Sequence, residues 1–155
     1  MAAQGRDIKL SAQRVEGYRN FITKIWNAIK FCEINECKNL GLDITQSKNT
    51  FNVWILNELD NCERSVSQAV KNYKFNEAAN TLYKFTWNIF CDWYIEFSKS
   101  VFYSNNEEDK HETRNTASYV LTKLMIMLHP IMPFITEHLW QEIDFINDKS
   151  SNKII

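Results

Sequence analysis

Residues 85–97 read FTWNIFCDWYIEF, a run in which aromatic and aliphatic side chains leave room for one threonine, one asparagine, one cysteine and two acids. Plotted at 3.6 residues per turn, its apolar positions fall on almost every side of a helix. A helix of that kind is stable in water only when neighbours cover it all round, so this stretch predicts the middle helix of a bundle. Asp92 is the exception inside it. An unpaired carboxylate there costs several kcal/mol, so the reading expects a buried structural charge, met by a cation from the first or fourth helix such as Arg19.

Working outward, three glycines and two prolines punctuate 155 residues, and no strand-length alternation is bounded by turn residues. The chain reads as an all-α bundle of about five helices. A first helix is expected from an N-cap at Ser11 to about Ile34, with Val15, Tyr18, Ile22, Ile25, Ile29 and Cys32 spaced by three and four. Residues 36–50 read as a loop. A second helix, 51–72, places Ile55, Leu59, Cys62, Val66, Ala69 and Tyr73 on one side. The third covers 76 to about 100. SNNEEDKHE is a polar, acidic loop, and a fourth helix, 113–129, turns Ala117, Val120, Leu121, Leu124 and Leu128 inward. Pro130 ends it or kinks it, and Pro133 opens a fifth that reaches about residue 146.

With 45% apolar residues the chain is too hydrophobic for disorder, yet charge interrupts every run before it reaches the roughly 20 residues of a membrane span. No N-terminal apolar block resembles a signal peptide, so a soluble, cytoplasmic protein is expected. The four cysteines form no Cys-x-x-Cys pair and read as reduced, mostly buried thiols. Gly5, Gly17 and Gly41 lie too far apart for a phosphate-cradling loop. His111, His129 and His138 lack metal-ligand spacing. No catalytic residue and no metal ligand is predicted.

Net charge is −1, but residues 6–30 carry six basic side chains against two acids. Such asymmetry makes a local anion-binding face on a nearly neutral protein. With Arg19 set to zero on a helical wheel, the expected core of the first helix centres near about 270°. Trp26, Lys30, Thr23 and Asn27 then follow from about 340° round to about 80°. A stripe of cations, a ring and amides suits single-stranded RNA, whose bases stack on rings while amides read base edges. The same stripe is also compatible with a protein-partner face or with plain solvated surface.

The order of motifs narrows this. GRDIKL, RVEGYRNFITKIWNA, WIL, FNEAANTLYKFTWNIFCDWYIE and LHPIMPFITEHLWQEI together resemble the anticodon-binding region of bacterial valyl-tRNA synthetases, class I enzymes. FCDWYIE and YRNFITKIWNA resemble the valine enzyme in particular, whereas the His-Pro-x-x-Pro-Phe ending is shared with isoleucine and leucine relatives. The resemblance implies a helical domain at 11–146, a connector at 1–10 from an absent catalytic domain, and a tail at 147–155. It implies tRNA(Val) as partner through its anticodon stem-loop, and the catalytic domain of the same parent chain as a second; DNA and membrane are not expected. Candidate tRNA contacts are Arg19, Thr23, Trp26, Asn27 and Lys30, where Lys30 stands for the family's usual arginine and lacks its planar, two-pronged geometry. His138 replaces a usual glutamate. The His-x-Gly-His and Lys-Met-Ser-Lys-Ser signatures are absent, so ATP and magnesium are expected in the parent's catalytic domain and no cofactor in this fragment, which should not aminoacylate by itself. A structural module that only orients the catalytic domain is the alternative from another class, together with the equivalent isoleucyl or leucyl domain.

Overall fold

The computed structural model describes residues 11–142, and its regular structure is helical throughout that span. The expected connector at 1–10, the tail at 147–155 and the last residues of the fifth helix lie outside it. Helix α1 runs Ala12–Ile34. It closes in a Schellman turn, with the Cys37 amide donating to the Cys32 carbonyl at 2.9 Å and Glu36 at φ 57°. Helix α2, Thr50–Lys71, starts where the Asn49 side chain accepts from the Phe51 amide at 3.0 Å.

Helix α2 ends the same way. The Lys74 amide reaches the Ala69 carbonyl at 2.8 Å around Tyr73, which also sits at φ 57°. A left-handed conformation suits glycine and burdens a tyrosine by about 1–2 kcal/mol. Because Tyr73 is largely exposed, little packing opposes its replacement. Tyr73→Gly is expected to raise stability by about 0.5–1 kcal/mol after glycine's extra unfolded-state entropy, read as a higher urea midpoint at constant slope. A lower midpoint would show that the Tyr73 ring, which meets Phe75 edge-on, contributes more than the strain costs.

Helix α3 has three parts: Phe75–Lys84 is α-helical, Phe85–Tyr94 is π-helical, and Ile95–Phe102 is α-helical again. Lys84, Phe85, Tyr94 and Ile95 all keep right-handed helical backbone, so the parts follow one another without a turn. At the exit from the π segment the Ile95 amide donates to the Phe90 carbonyl, five residues back. The buried positions Leu82, Thr86, Phe90, Tyr94 and Ser98 recur every four residues. In an α-helix such a stripe would walk about 40° per step round the rod; the wider π turns keep it facing the core. The segment does pack against α1 and α2, as a middle helix should.

Helix α4, Glu107–Leu128, begins two turns earlier than the periodicity suggests. The Asn106 side chain accepts from the amides of Glu108 and Asp109, and three acids occupy the first turn, where the helix dipole favours negative charge. Much of the expected acidic loop is therefore helix. After Pro130, helix α5 runs Pro133–Glu142. The core joins Ile29 of α1, Ile55 of α2, Phe90 of α3, Leu121 and Leu124 of α4 and Leu139 of α5.

The loop between α1 and α2 is held by α4. Arg114 Nε donates to the Asn35 carbonyl at 2.9 Å, and Asn115 takes the Leu40 amide and gives to the Leu42 carbonyl. Glu112 accepts from the amides of Lys48 and Asn49, each at 3.0 Å. All four cysteines are free and buried, and burial pushes the thiols of Cys62 and Cys91 up to about 12. Among the described residues no helix is long and apolar enough to cross a membrane, and no cluster of ligands could hold a metal.

Candidate nucleic-acid interface

The exposed face of α1 is the candidate surface, and its orientation differs from the wheel. Phe21, Ile25, Ala28, Ile29 and Cys32 are buried, while Val15 and Tyr18 are 54% and 53% exposed. The buried arc is therefore turned by about 40° from the one expected. The cause is length: the described side chains of α1 before Phe21 are all exposed, so the first turns extend past the helices that cover the rest. An apolar spacing there finds no neighbour among the described residues.

The turn leaves the predicted stripe facing solvent. Arg19, Thr23, Asn27 and Lys30 are exposed, and Arg19 enters none of the ion pairs among the described residues. Thr23 Oγ1 donates back to the Arg19 carbonyl at 3.1 Å, which ties its hydroxyl to the helix. Lys30 Nζ lies 2.7 Å from Glu33 Oε2 and 5.3 Å from the centre of the Trp26 ring. Trp26 is half-buried at the core edge, and its indole lies parallel to the His138 imidazole of α5, 6.3 Å between centres with 8° between planes. His138 thus has a structural role that the sequence left blank. The helix brings all five predicted residues onto one strip, but Trp26 and Lys30 already have partners.

Asp92 needs a correction. It is not a buried charge: its side chain is 45% exposed, and its cation is Lys24 of α1 in place of Arg19. The four-residue spacing of the π segment explains this, since Phe90, Cys91, Tyr94 and Ile95 take the inward positions and leave Asn88, Asp92, Trp93 and Glu96 outward. Lys24 Nζ also lies 4.0 Å from the centre of the Trp87 ring, so the ion pair holds a cation over an aromatic face.

Sequence reasoning missed the neighbours of that cation. Phe21, Tyr83 and Trp87 form a nearly parallel set: Phe21 to Tyr83 is 4.8 Å at 22°, Tyr83 to Trp87 is 5.8 Å at 14°, and Phe21 to Trp87 is 6.4 Å at 10°. The available signal was the four-residue spacing of Tyr83 and Trp87. The polar strip of α1 therefore runs between two aromatic edges, Trp26 with His138 on one side and Trp87 with Tyr83 on the other.

A family model described as the anticodon-binding domain of tRNA ligase matches residues 52–154. Among curated proteins, the valine–tRNA ligases of Rhodopseudomonas palustris and Agrobacterium fabrum are each 50% identical to this chain over 141 residues. That of Rhizobium meliloti is 50% identical over 143 residues. These alignments cover 90%, 90% and 92% of this chain, and 15% of each relative. Whichever end they omit, stretches of that size include the strip on α1, which the family model does not reach. The chain spans about 15% of the length of those relatives. With its all-α bundle and these matches, the chain belongs to the anticodon-binding domains of tRNA ligases and is homologous to that region of bacterial valine–tRNA ligases.

Proposed function

We propose that this domain holds the anticodon stem-loop of tRNA(Val) for a parent valine–tRNA ligase. That parent would join valine to its tRNA with ATP and magnesium in a catalytic domain elsewhere in the chain, in the cytoplasm, and this domain would form no product by itself. The observation that carries the reading is the strip on α1. It presents Arg19, Thr23 and Asn27 to solvent between two aromatic edges, on a chain of an anticodon-binding family. Arg19 is the phosphate contact, because its charge is uncommitted among the described residues. Asn27 is suited to a base edge. Lys30 is a weaker contact, since Glu33 already neutralises part of its charge, and Trp26 acts as a wall of the strip more than as a platform.

A second reading, a module that mainly orients the catalytic domain, draws on Phe134, 92% exposed, and on Val15 and Tyr18. Apolar side chains left in water suit a neighbouring domain. Titration of the 155-residue chain with a tRNA(Val) anticodon stem-loop separates the two. Binding that weakens as salt rises is expected, and Arg19→Ala should lower affinity about fivefold and reduce the salt slope by about one. No binding, or equal binding of stem-loops with unrelated anticodons, would leave the orienting role as the better account.

A further inference from the structure

We infer that Tyr83, backed by Phe21 and Trp87, is the stacking platform for an unpaired base of the bound RNA. The inference rests on the proposed stem-loop function and moves the stacking role from Trp26 to α3. Two observations separate the candidates. Trp26 is half-buried at the core edge beside His138, whereas Tyr83 is the most exposed ring of the parallel set, with 39% of its surface in water.

The set is anchored from the inside. Phe21 is buried, and Trp87 is half-buried beneath the Lys24 ammonium, which Asp92 holds in place. Three planes within 22° of one another already have the orientation that a stacked base must adopt. A ring fixed in this way loses little side-chain freedom when a ligand arrives. Stacking on it is also tolerant of base identity, because every base has a π-face. Phe21 follows Arg19 and Asn20 in α1, so the platform lies within about one helix diameter, roughly 10 Å, of the strip that would hold the phosphates. A base on Tyr83 and a backbone along Arg19 and Thr23 would then belong to one strand crossing from α3 to α1. Lys24 and Asp92 act on this through Trp87, as positioning residues.

The test uses the 155-residue chain, a labelled anticodon stem-loop, and a blunt RNA duplex of the same length. Tyr83→Ala is expected to weaken stem-loop binding about tenfold, Tyr83→Leu nearly as much despite its apolar bulk, and Tyr83→Phe little. Duplex binding should not change in any of them. A stem-loop made abasic at the stacked position should bind wild type and Tyr83→Ala alike, and stepping one abasic site through the loop identifies that position. Circular dichroism melts of Tyr83→Leu and Tyr83→Phe guard against loss of fold. Wild-type affinity in a folded Tyr83→Leu, or an equal loss on the duplex, overturns the platform even if Arg19→Ala still weakens binding. Should Tyr83→Ala leave RNA binding intact but release a protein partner, the surface is a protein contact and the inference fails. If the unaltered chain binds no stem-loop at all, the platform and the proposed function fail together.

Discussion

Asn52→Ala should lower stability by about 3–4 kcal/mol, as much as truncating a large core side chain. Asn52 is 0% exposed, yet its side chain is fully engaged. Its Nδ2 donates to Glu112 Oε1 at 2.9 Å and to Thr113 Oγ1 at 3.1 Å, and its Oδ1 accepts from the Tyr94 hydroxyl at 2.9 Å. Alanine leaves the buried Tyr94 hydroxyl and the Glu112 carboxylate each short of a partner, and it leaves a cavity. Tyr94→Phe alone removes one hydroxyl and should cost about 1–2 kcal/mol. The double variant should therefore cost less than the two single losses together, because the orphaned hydroxyl is gone. Urea unfolding of the four proteins tests this: strict additivity, or a loss below about 1 kcal/mol for Asn52→Ala, would mean that water satisfies these groups. Stem-loop affinity of the folded Asn52→Ala protein should stay within about twofold of wild type, since Asn52 lies in the core, away from the α1 strip.

How much of this was legible in the sequence depends on the range over which each feature is determined. The ends of α1 and α2 follow from Ser11, Asn49 and the three-and-four spacing of Ile25, Ile29, Ile55 and Leu59, all local signals. The first two turns of α4 carry a local signal as well, Asn106 followed by three acids, a pattern that fits a polar loop and a helix cap equally. The π turns of α3 are different. Nothing at a single residue marks them, and they move Asp92 outward. That correction could come only from the wider backbone turn. The rotation of α1 is a question of neighbours, since periodicity says which residues share a face but not which turns another helix covers. In the candidate site, the exposure of Arg19, Thr23 and Asn27 was readable from the wheel. The pairs Trp26 with His138 and Phe21 with Tyr83 join residues far apart in sequence, and no local pattern points to them; for Asp92 a cation from α1 was legible, but not that it is Lys24.

Glu112→Gln should cost about 1–2 kcal/mol near neutral pH, with a cost that shrinks as the solution is acidified. Burial raises the Glu112 carboxyl, but hydrogen bonds from Asn52, the amides of Lys48 and Asn49, and Ser47 outweigh it and hold the group below its ordinary 4.5. A carboxyl depressed in the folded state contributes stability that is fully present above the unfolded value and is lost as pH falls through the folded value. Wild type should therefore lose this contribution progressively below about 4.5. Glutamine keeps one acceptor for Asn49 and Asn52 but turns an NH2 group toward the Lys48 amide, which donates to Oε2 at 3.0 Å in the native protein. Protonated Glu112 loses the same acceptor capacity in acid, so the two proteins should converge there. Asp43 and Glu107, also held low by their hydrogen bonds to Thr45 and Lys110, keep some acid sensitivity in the variant. Unfolding free energies between pH 7 and pH 3 measure the gap. A gap that stays constant across that range would place the worth of Glu112 in its packing and not in its charge. The loop it fastens would then be held through Arg114 and Asn115, which bond to Asn35, Leu40 and Leu42.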